Sequence, residues 1–114
     1  MRSQSPSVVP ELPDETVHMV LDDLGKHGRV WRELDFEQTS ERNIIEAILG
    51  EQFNNPVQVV AFNLSEGWAR DVSEDIAWAV AALARQQGTM LGPSAKALYE
   101  WATGEDVPAD VVEP

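Results

Sequence analysis

The chain has 114 residues, 43% of them hydrophobic, with no cysteine and with 20 acidic against 8 basic side chains, a formal net charge of −12. That length suits one domain around one core, and the absence of thiols excludes a disulfide framework and thiolate metal sites, in keeping with a reducing cytoplasm. The acid excess argues against binding to nucleic acid or to anionic membranes, both of which need Lys and Arg to meet phosphate.

Residues 1–14 hold three prolines and three serines without periodicity, which predicts a flexible arm, with Val8-Val9-Pro10 able to lie on the domain. The arm has no apolar stretch of signal-peptide length, and no run of about 18 apolar residues follows to span a membrane. A single domain is expected over 15–104. Thr16 to Asp22 alternates, with Val17, Met19 and Leu21 on one face and Thr16, His18, Val20 and Asp22 on the other, the pattern of a half-buried strand. Two glycines, Gly25 and Gly28, mark a turn, and Arg29 to Leu34 alternates again, so the pair reads as an antiparallel hairpin. A polar stretch then ends in the capping pair Thr39-Ser40. From Glu41, Ile44, Ile45, Ile48, Leu49 and Gln52 gather on one helical face opposite Asn43 and Glu46. Asn54-Asn55-Pro56 stops that helix.

The apolar run Val57 to Phe62 predicts a third strand covered on both faces, with Val59 and Phe62 pointing oppositely. Asn63 to Gly67 breaks it with turn formers. A long helix follows: Asp71 is placed as its N-cap, Glu74 at the capping-box position, Arg85 in the last turn and Gly88 just beyond. Pro93 opens a last helix over Ser94 to Thr103, with Leu98 and Trp101 expected on its buried face and Gly104 closing it. Residues 105–114 read as a flexible acidic tail. The order β-β-α-β-α-α predicts an α+β fold, a hairpin plus one crossover strand in a three-stranded sheet covered by helices. A helix between the second and third strands makes those two parallel. Strand orders 2-1-3 and 1-2-3 both satisfy this, and in 2-1-3 the third strand is an edge.

Two places invite a functional reading. The connection carrying Asn63, Ser65, Glu66, Trp68, Arg70 and Asp71 leaves a strand and enters a helix, where α/β folds often hold ligands. Against this, Asp71, Glu74 and Asp75 already fill the helix N-terminus with negative charge. Local pairing of Glu66, Arg70 and Asp71, with Trp68 packed over the core edge, is the competing structural account. The second place is the outer side of the long helix. Val72, Ile76, Val80 and Leu83 form its sheet-facing side, which leaves Trp78, Ala81, Ala82 and Arg85 for an interface, unless the last helix covers them through Leu98 or Trp101. His18, Asp22, Asp23 and His27 invite a metal reading, but zinc needs three or four converging ligands and the turn residues can point anywhere; a strand histidine and a charged turn are the commoner outcome, and no metal or cofactor is expected. No G-x-S-x-G, P-loop or dinucleotide motif occurs, and no catalytic residue is assigned.

Val59-Val60-Ala61-Phe62-Asn63, followed by Glu66-Gly67-Trp68 and Arg70 through Asp75, resembles a family of small uncharacterised bacterial proteins, over residues 17–88. The resemblance implies a bacterial, cytoplasmic protein and carries no activity with it. The expectation is a non-enzymatic protein–protein interaction module, a homodimer among its forms. A small-molecule binder or enzyme using Asn63 to Asp71 is the alternative, and an acidic inhibitor of a nucleic-acid-binding protein is a third.

Overall fold

A computed structural model describes residues 16–33 and 41–111. The N-terminal arm, the capping pair Thr39-Ser40 and the last three residues lie outside them. The strands are β1 (Thr16–Asp23), β2 (Arg29–Arg32), β3 (Pro56–Asn63) and β4 (Trp68–Asp71), and the helices are α1 (Glu41–Leu49), α2 (Ser73–Gln87) and α3 (Pro93–Thr103).

Among the described residues the sheet has four strands in the order β2-β1-β3-β4, every neighbouring pair antiparallel. Of the two expected orders, 2-1-3 is the one formed. β2 and β3 both run against β1, so they are parallel to each other, and α1 makes the crossover between them. The count of three strands needs correction. Trp68 to Asp71, expected within a connection, pairs with Val60 to Asn63 as β4, so β3 is interior and β4 is the edge. The signal was weak because WARD has a single aromatic and no β-branched residue. Its pairing comes from the turn, which reverses the chain onto β3. Gly67 adopts φ +74°, open to glycine with no Cβ penalty, and its N–H donates to the Asn63 carbonyl at 2.8 Å.

The core lies between the three helices and one side of the sheet. Val20, Val59 and Ala61 join Ile44, Ile48, Ile76, Val80 and Leu98 in one apolar cluster. The α1 face forms as the periodicity predicts, with Ile44, Ile45 and Ile48 buried. Two expectations fail. Phe62, opposite in direction to Val59, is only half-buried, because helices cover a single face of β3; an apolar run alone does not distinguish one covered face from two. In α3 the buried positions are Ala95, Leu98 and Tyr99, whereas Trp101 is 68% exposed.

The segment after Gly104, expected to be a flexible tail, packs on the domain as far as it is described. A short 3-10 turn spans Ala109–Val111. Val107 and Val111 are buried, and the Leu91 N–H donates to the Val111 carbonyl at 2.7 Å. Two valines spaced four apart were enough to dock a stretch whose acidity suggested a solvated end.

Candidate functional site

The six residues proposed to bind a ligand sit on the β3–β4 hairpin, and several of their polar atoms are engaged with one another or with neighbouring residues. Asn63 is buried; its Oδ1 accepts the Glu66 N–H at 2.9 Å, and its Nδ2 donates to Thr16 Oγ1 at 3.2 Å. Trp68 Nε1 donates to Glu66 Oε1 at 2.8 Å, and the Arg70 guanidinium lies 5.3 Å from the Trp68 ring centroid. Trp68 packs at the margin of the core. Ser65 is exposed on the turn. Around Trp68, Ala69 and Arg70 there is an open depression of about 340 Å³. The strand-to-helix-N-terminus geometry that suggested a ligand site is replaced by a hairpin, which turns the loop away from α2.

Asp71 lies one residue ahead of its expected place. The residue flanking α2 is Val72, and no side chain caps from that position, so the proposed capping box does not form. Asp71 Oδ1 instead accepts the Ser73 N–H at 2.8 Å, and Oδ2 accepts Gln58 Nε2 at 2.9 Å. Burial pushes this carboxyl up, but the bonds from Ser73 and Gln58 outweigh it and hold it below the ordinary range. Ser73 completes the sheet where β4 ends. Its Oγ accepts the Val59 N–H at 2.7 Å, while the Val72 N–H donates to the Val59 carbonyl at 2.9 Å. The hydroxyl thus replaces the acceptor that a longer β4 would have supplied.

Of the four residues of the proposed interface on α2, Ala81 is taken up by the core and the other three are exposed. Ala81 is 1% exposed and belongs to the core; Ala82 is exposed. Trp78 meets Tyr99 of α3 edge to face, with centroids 5.3 Å apart, and retains 41% exposure. Arg85 Nε donates to Asp110 Oδ2 at 2.7 Å. The last helix meets Trp78 through Tyr99, which the reading did not name, while Trp101 is exposed. A helical wheel places Tyr99 only 100° from Leu98, which is why either reading fits the same period.

Asp22 is fully buried on the helix-facing side of β1. Its Oδ1 accepts the Asn55 N–H at 2.6 Å, and its Oδ2 accepts the Asn54 N–H at 3.0 Å and Arg32 Nη1 at 2.7 Å. Arg32 also lies over the Phe53 ring, 5.2 Å from its centroid. Asp23 is paired with Arg29 and accepts the Gly25 N–H. These aspartates therefore fasten the α1–β3 connection and the β1–β2 turn, and the described residues contain no group of three metal-ligating side chains.

The remaining feature is the other side of the sheet. Strand alternation and register place Val17, Met19 and Leu21 of β1, Val60 and Phe62 of β3 and Trp31 of β2 together on it: Val17 faces Phe62, Met19 faces Val60 and Leu21 faces Trp31. None of the six belongs to the core cluster. Trp31 is 47% exposed, and the other five are half-buried. Sequence reasoning passed over this surface, although it carried a signal. Both sides of β3 and the Val17-Met19-Leu21 side of β1 are apolar, and among the described residues all three helices lie on the opposite side. No protein-family model matches the sequence, and no curated protein or solved structure gives a significant match.

Proposed function

We propose that this chain is a protein–protein interaction module whose contact surface is the open face of the sheet. One observation carries the reading: six large apolar side chains, a tryptophan among them, form a contiguous surface outside the core. Contiguous apolar patches of this kind mark association surfaces, and tryptophan is a frequent anchor in them. The hairpin supplies no enclosed pocket with converging polar groups of the kind a small ligand requires.

A photo-crosslinking residue at position 60, on the open face, is compared in cells with one at position 82, exposed on α2. Discrete intermolecular adducts from position 60 and none from position 82 are the expected result. An absence of adducts from position 60, or adducts only within one chain, overturns the proposal.

A further inference from the structure

The partner that fits this face best is identical to the chain that carries it. We infer that two copies associate face to face through their open sheets, with Trp31 as the anchor on each side. The inference rests on the open face being a contact surface, and charge, area and shape carry it further.

Charge comes first. With a net charge of −12, two copies repel unless their acids stay apart. The acids of the described helices and their flanks, among them Glu46, Glu74, Asp75 and Asp110, lie on the helical side or beyond it. The open face holds the paired Asp23–Arg29 at one end, Asp71 at one edge, where the carboxylate is hydrogen bonded to Gln58 and Ser73, and the exposed Glu33 just past β2 at the other edge. Sheets stacked about 10 Å apart put the two helical layers on opposite outer sides. The acids of the two helical layers are then separated by well over the Debye length of about 8 Å at physiological salt. Docking through the helices would bring the same charges together.

Area is the second argument. Two eight-residue and two four-residue strands tile roughly 400 Å² at about 3.3 Å per residue and 4.8 Å between strands. Counted as accessible surface on both copies this is on the order of 1,000 Å², the lower end for a specific interface. The expected dimer is therefore a weak one, in the micromolar range. Shape is the third. A sheet surface whose middle is Val, Met, Leu and Phe, with its charges at the ends and edges, can meet a second copy of itself under a two-fold axis. The edges offer no competing route, since β2 and β4 are four residues long and carry Arg29, Arg32, Arg70 and Asp71.

Sedimentation of the full chain across a concentration series is the test. The expected result is a monomer–dimer equilibrium that changes little between about 50 and 500 mM salt. Trp31→Ala and Met19→Gln, each present twice per dimer, should weaken it at least about tenfold, and circular dichroism melts matching the parent's would show that both variants are folded. A parent that remains monomeric at every concentration overturns the inference, as does a dimer indifferent to both substitutions. The wider reading survives that failure if position 60 still crosslinks to another protein, and it falls only with the crosslink.

Discussion

Asp22→Asn is the sharpest test of how the scaffold is held together. The carboxylate is fully buried and accepts two backbone N–H groups and one guanidinium N–H. Asparagine retains one acceptor oxygen. Whichever way it turns, an NH₂ group faces either the Asn55 N–H, now 2.6 Å from the oxygen it replaces, or the pair formed by Asn54 and Arg32. A hydrogen bond to a charged group is worth about 1.5–3 kcal/mol, and a buried donor left unmade costs about 1–3 kcal/mol. Because the three bonds share one group these do not simply add, and a loss of about 3 kcal/mol is expected. With an m value of about 1.5–3 kcal/mol/M, the urea midpoint falls by roughly 1–2 M. Arg32→Ala leaves both amide bonds in place and exposes its site to water, so it should cost less. The pH dependence is a second check. Burial raises the Asp22 carboxyl, but the Asn55 and Asn54 amides and Arg32 more than offset this, so the folded pKa lies below the ordinary one. A depressed folded pKa means stability that is fully present above the unfolded value, near pH 4, and lost as pH falls through the folded value. The gap between parent and Asp22→Asn should thus be constant at neutral pH and narrow in acid below about pH 4. An unchanged midpoint at pH 7, or a gap that does not narrow in acid, refutes the reasoning.

Three further predictions follow from the same geometry. Ser73→Ala removes the acceptor of the buried Val59 N–H and should cost about 1–3 kcal/mol, read by denaturation and by faster hydrogen exchange at the Val59 amide. Glu51 caps α3 from outside it, accepting from the Ser94 N–H, the Ser94 hydroxyl and the Ala95 N–H. A Cβ on Gly92 would stand 2.6 Å from Glu51 Cδ, so Gly92→Ala should displace that carboxylate and lose about 1 kcal/mol, yet add almost nothing in a Glu51→Ala background; additive losses in the double-mutant cycle would contradict this. Phe62→Ala, on the open face, should destabilise the monomer by clearly less than the roughly 3–5 kcal/mol of a buried phenylalanine, measured below the concentration at which copies associate.

How much of this protein can be read without its structure depends on the range of the interactions involved. The strands β1, β2 and β3, the three helices, Pro93 at the start of α3 and the glycines that end α2 and α3 all follow from residues within a few positions of one another. They rest on hydrophobic period, turn chemistry and capping, which act locally. The α1 crossover and the parallel direction of β2 and β3 follow from connection length. What tertiary structure decided lies between residues distant in sequence. β4 exists because a turn lays a poor strand former beside β3, and Ser73 is a sheet-completing residue only because Val59 has no further partner there. Asp22 reads as one acid among twenty until the chain returns at Asn54 and Asn55 to meet it. The same holds for the functional surface. Alternation places Val17, Met19 and Leu21 on one side of β1, but which side the helices cover is a global property. They cover the side bearing His18, Val20 and Asp22, where Asp22 finds its donors, and among the described residues no helix lies on the apolar side.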